Sequence, residues 1–90
     1  VAAKTFDAGT AQTVIPEDLY LRSALLTAGS ADATCVIYAN GVVYIKIAAK
    51  AGTSQLYPST TGGNQFSLEN IKGPVTVDVV GTGSFLRLSY

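Results

Sequence analysis

Ala33-Thr34-Cys35-Val36-Ile37-Tyr38-Ala39-Asn40-Gly41-Val42-Val43-Tyr44-Ile45-Lys46-Ile47-Ala48-Ala49 is the stretch that decides the fold. Two runs rich in β-branched and aromatic residues flank Asn40-Gly41, a dipeptide suited to a tight hairpin turn because both residues tolerate positive φ. Loop length then sets which side chains share a face. A two-residue turn pairs Ala39 with Val42 and places Cys35 and Ile37 beside Tyr44 and Lys46, mixing apolar and charged groups. A three-residue loop, Ala39 to Gly41 with Gly41 in the left-handed bulge position, pairs Tyr38 with Val42 and Cys35 with Ile45. It gathers Cys35, Ile37, Val43, Ile45 and Ile47 on one face, with Thr34, Val36, Tyr38, Val42, Tyr44 and Lys46 on the other. The second register is expected, since it alone segregates the aliphatics.

The same cadence runs outward in both directions. Apolar runs of Val, Ile, Thr and Tyr are punctuated every eight to a dozen residues by Gly, Asn, Pro and Ser, which predicts an all-β chain. The expected strands are Thr10 to Ile15, Leu19 to Thr27, Ala33 to Tyr38, Val42 to Ala49, Gln55 to Tyr57, Gln65 to Leu68, Val75 to Val80 and Phe85 to Tyr90. Seven or eight short strands make a single antiparallel β-sandwich, jelly-roll-like, over residues 1–90. Around Gly81-Thr82-Gly83, an even loop sets Val79 opposite Leu86, Val77 opposite Leu88 and Val75 opposite Tyr90, with Asp78 meeting Arg87 on the outer face. The inner faces then collect Leu19, Leu21, Leu25, Cys35, Ile37, Val43, Ile45, Ile47, Phe66, Leu68, Ile71, Val75, Val77, Val79, Leu86 and Leu88. That is one modest core, and a 90-residue monomer built on it gains from association.

Composition narrows the function. Of the 90 residues 48% are apolar and 13% charged, and six basic side chains balance six acidic ones. Zero net charge removes the attraction that drives binding to nucleic acid or to an anionic membrane, so neither is an expected partner. No apolar stretch reaches the roughly 18 residues of a spanning helix. With no His and one Cys the chain has no zinc ligand set, no His general base and no disulfide of its own. The carboxylates Asp7, Glu17, Asp18, Asp32, Glu69 and Asp78 show no pairing of the kind a glycosidase needs, and no motif recommends a Ser–Lys dyad. An enzyme is not expected, nor is a cofactor or metal. Cys35 reads as a small core residue, because no cation stands beside it to lower its pKa.

Three features invite a functional reading. Val36, Tyr38, Val42 and Tyr44 form a strip on the outer face of the first hairpin that only Lys46 interrupts. Such a strip is either covered by a second sheet or the N-terminal segment of the same chain, or it is a subunit interface. Residues 1–18 are an edge strand with a frayed end, or an arm that docks on a neighbouring subunit; Pro16 marks their limit. The polar stretch Thr53 to Asn64 projects as a loop around Tyr57-Pro58, where Gln55, Tyr57 and Asn64 offer one aromatic and two amides to a sugar.

The order of segments carries a resemblance. Leu21-Arg22-Ser23-Ala24-Leu25-Leu26-Thr27-Ala28-Gly29-Ser30 precedes the hairpin, and Leu68-Glu69-Asn70-Ile71-Lys72-Gly73 forms a corner. Val75-Thr76-Val77-Asp78-Val79-Val80-Gly81-Thr82-Gly83 and Leu86-Arg87-Leu88-Ser89-Tyr90 close the chain. This pattern, from Leu19 to Tyr90, resembles the small β-sandwich virion structural proteins of tailed bacteriophages, of the capsid decoration or head-fibre type. The resemblance implies a virion component, made in the host cytoplasm, most simply a capsid decoration or cement protein. Its partners would be its own copies, as a dimer or trimer, and the major capsid protein or another virion protein. It transfers no site residues. The rival readings are a receptor- or carbohydrate-binding module of a fibre or tail, and a secreted adhesin domain.

Overall fold

The computed structural model describes residues 3–57 and 69–90. Among these described residues ten strands follow one another without a helix: β1 (Ala3–Asp7), β2 (Gly9–Ile15), β3 (Leu19–Leu21), β4 (Ser23–Thr27), β5 (Ala33–Ala39), β6 (Val42–Ala49), β7 (Ser54–Tyr57), β8 (Glu69–Ile71), β9 (Val75–Val80) and β10 (Phe85–Ser89). One four-stranded sheet runs β1-β10-β4-β7, the other β2-β9-β5-β6, and β3 pairs β8 in a short two-stranded ribbon. All the pairings are antiparallel. The fold is an all-β sandwich, and its strand order is that of a jelly roll.

A single picture generates this topology. The chain folds as one long hairpin whose tip is Asn40-Gly41 and whose rungs, from the tip outward, are β5–β6, β4–β7, β3–β8, β2–β9 and β1–β10. The ribbon then winds on itself, so that β4 docks along β10 and β5 along β9. Alternation follows from the winding: each strand turns its apolar residues toward the opposite sheet. Leu19, Leu21, Leu26, Ile37, Ile71, Val75, Val77, Val79, Leu86 and Leu88 are all at most 1–2% exposed. The inner-face assignments of Val75, Val77, Val79, Leu86, Leu88, Cys35, Ile37, Ile45 and Ile47 therefore hold.

Several local expectations are overturned. β9 and β10 do not pair; they cross from one sheet to the other through Gly81 to Ser84, so no Asp78–Arg87 pair forms. Alternation alone is blind to that difference, because a hairpin and a crossing bury the same residues. The first hairpin uses the two-residue turn, with Asn40 at φ 49° and Gly41 at φ 81°, and pairs Ala39 with Val42 and Tyr38 with Val43. A bulge then shifts the register so that Ile37 meets Ile45 and Cys35 meets Ile47. The extra residue, Tyr44, restores the segregation of aliphatics expected of a three-residue loop. Val43 consequently points outward, 48% exposed, instead of into the core. The expected strand Leu19 to Thr27 breaks at Arg22, whose N–H donates to the Ser89 carbonyl at 2.8 Å. The break flips the alternation, so Ala24 and Leu26 are buried and Leu25 faces out. Phe6 and Val14 join the core from β1 and β2, which form the outer edges of the two sheets. The expected strand Gln65 to Leu68, with Phe66, lies outside the described residues.

Candidate protein–protein interface

The outer face of the β2-β9-β5-β6 sheet is built in straight rows, because register places residues of adjacent strands side by side. One row reads Asp78, Val36, Lys46 across β9, β5 and β6. The row nearer the hairpin tip reads Thr76, Tyr38, Val43, and the row on the other side reads Val80, Thr34, Ala48. Apolar groups occupy positions that a solvent-facing sheet normally gives to charges. Val43 and Val80 are clearly exposed on this face, and Val42 and Tyr44 are exposed near the hairpin tip. The strip named from sequence is thus dispersed: Val36 and Tyr38 lie half-buried on central strand β5, Val42 and Tyr44 on edge strand β6.

Neither the other sheet nor residues 3–15 cover this face. β2 extends the same sheet sideways along β9, and the second sheet packs against the opposite, apolar side.

Asp78 organises the middle of the face. One carboxylate oxygen accepts the Ala11 N–H at 2.7 Å and the other accepts the Tyr38 hydroxyl at 3.0 Å. The first bond holds a bulge in β2, where Ala11 takes φ 53°, a conformation unfavourable for a residue with a side chain. The second raises the Tyr38 pKa, because the phenol must stay protonated to donate to a carboxylate, and partial burial and the Asp78 charge act in the same direction. Beside this constellation the surface dips. A shallow trough of about 330 Å³ lies between Val36, Lys46 and Ala48, and another of about 300 Å³ continues it past Thr34 toward Asp32 and Lys50. Small side chains at Thr34 and Ala48 make the floor.

The other sheet also carries apolar groups outward, which sequence reading did not find. Leu25 and Leu56 are register partners, and Phe85 lies on the same face with Arg87 as its neighbour along β10. Leu56 is 45% and Phe85 38% exposed. The signal was present in Leu25-Leu26, but the break at Arg22 had to be known before the outward leucine could be chosen.

Of the sugar-site candidates, Gln55 is exposed on edge strand β7 and donates to the Leu56 carbonyl, while Tyr57 is half-buried against the core. Asn64 lies outside the described residues. Cys35 is 1% exposed, and burial, aided by the Asp78 charge, pushes its thiol up to about 12. Among the described residues the one ion pair is Lys72–Asp18 at 3.3 Å, where the Gly73 N–H and then Lys72 hold the Asp18 pKa down. No protein-family model and no curated protein matches the chain.

Proposed function

We propose that the chain is a structural component of a tailed-bacteriophage virion, a capsid decoration or cement protein that acts by protein–protein contact. The observation that carries this reading is the outer face of the β2-β9-β5-β6 sheet, where Val36, Tyr38, Val43 and Val80 stand on three adjacent rows whose charged members are Asp78 and Lys46. Sparse charge and exposed aromatic and aliphatic groups suit a surface that is covered in an assembly. The jelly-roll order is a fold found in capsid proteins, among others, and so supports the reading by analogy only. The segment order resembling virion proteins points the same way.

The test is co-sedimentation with emptied heads of the phage, run beside a glycan array. Saturable binding to heads with no glycan signal is expected. Binding to glycans without binding to heads would replace this reading with the fibre or tail module that Gln55, Tyr57 and Asn64 would serve.

A further inference from the structure

The row Asp78, Val36, Lys46 reads anion, apolar, cation across three adjacent strands, with Val36 at its centre. Strands about 4.8 Å apart put the two charges roughly 10 Å from one another. They are therefore no ion pair within the chain. Asp78 accepts one bond from Ala11 and one from Tyr38, and its two oxygens still have lone pairs to offer. Lys46 is exposed.

We propose that two copies of this chain pack these faces together about a two-fold axis that runs roughly along β5 and passes over Val36. The inference rests on the reading of this face as a contact surface, and names its occupant. A rotation about that axis exchanges the β9 side with the β6 side, so Lys46 of each copy lies over Asp78 of the other. Val36 meets Val36, and Tyr38 meets Tyr38. Val80, 54% exposed, comes to rest over the trough floored by Thr34 and Ala48 of the second copy, and Thr76 over Val43. Every row is complementary to itself under this one operation, as an isologous contact requires. A two-fold axis along the row, at right angles to β5, fails instead: it stacks Lys46 on Lys46 and Asp78 on Asp78, and like charges facing each other are costly.

Sheet twist does not spoil the match. Facing sheets cross at about 30°, which sets the axis about 15° from each β5 and displaces groups some 5 Å from it by roughly 2.5 Å, within the reach of a lysine side chain. The rows that face each other span three strands and about seven residues along each, roughly 14 by 24 Å, because an axis over β5 leaves β2 beyond the partner's edge strand. An interface of that size belongs to the small class, so a dimer of micromolar affinity is expected.

Sedimentation velocity from about 10 to 500 μM, at low and at physiological salt, is the experiment. The wild-type chain should dimerise, more weakly as salt rises. Lys46→Glu, at an exposed position, should weaken the dimer at least about tenfold, because each copy then sets a carboxylate over Asp78. Adding Asp78→Asn, which keeps an acceptor for the Ala11 N–H, should return the affinity to within about threefold of Asp78→Asn alone. Ala48→Trp should abolish association by filling the trough, while Thr5→Lys on the other sheet should leave it unchanged. A wild-type chain that is monomeric throughout, or a dimer indifferent to Lys46→Glu and Ala48→Trp, overturns the proposal. A monomer that still binds emptied heads removes the two-fold contact and leaves the virion role standing, whereas a dimer that ignores heads supports the contact and removes the role.

Discussion

Asp78 is the residue on which most of the outer face depends. It ties central strand β9 to Tyr38 on β5 and to the bulge in β2, and losing it strands two donors. Ultraviolet titration should place the Tyr38 phenol above 10, found as the difference between the wild type and Tyr38→Phe, and Asp78→Asn should lower it. A raised pKa stabilises the fold fully below the unfolded value and loses that share as pH climbs through the folded value. Tyr38 therefore contributes up to about pH 10 and less above it. Cys35 has the same sign: its contribution is complete below 9.0 and is lost toward about 12, so stability should fall across that alkaline window. A thiol reagent should leave Cys35 unmodified at neutral pH until denaturant opens the core; modification of the native chain at the unfolded rate would contradict its burial. The core role of Cys35 was legible from its apolar neighbours. Asp78's partners were not, because Ala11 lies 67 residues away and only the winding of the ribbon brings it near.

At the scale of the strand, alternation located most of the core and failed where the chain breaks step. Leu25 and Leu26 are the sharpest case: nothing in the letters says that Arg22 interrupts the run, yet the interruption decides which leucine is buried. Leu26→Ala should cost about 2–5 kcal/mol in urea unfolding and Leu25→Ala under about 1 kcal/mol. The reverse order would restore the unbroken strand. Bulges are the second cause of failure, since one inserted residue shifts register without any distinctive residue type. Tyr44 in β6 and Ala11 in β2 both sit at such points. Ala11→Gly should relieve the positive φ and raise stability by about 0.5–1 kcal/mol in the same assay; a loss would show that the bulge conformation is not held.

For the whole molecule, the class of fold was legible and its wiring only in part. The β5–β6 hairpin was found because its strands are close in sequence; the pairings of β1 with β10 and of β4 with β10 were beyond local patterning. Contacts between the connecting segments confirm how tightly the ribbon is wound. The Ser30 N–H donates to the Thr82 carbonyl, and a Cβ on Gly29 would collide with that same carbonyl; one on Gly73 would collide with the Glu17 carbonyl. Gly29→Ala and Gly73→Ala should each destabilise by about 1–3 kcal/mol or more in urea unfolding, and neutral outcomes would mean that the segments lie further apart.

Both outer faces of this sandwich carry more apolar surface than charge, and that is why we read the molecule as one that works by being covered. The most direct measurement is photo-crosslinking of the concentrated chain and of the virion we propose it joins, with benzoylphenylalanine replacing Val43 on the outer face or Lys72 on the β8–β9 connection. The expected result is efficient crosslinking to another protein chain from position 43 and little from position 72. No crosslink from position 43, or equal yield from both, would contradict the account.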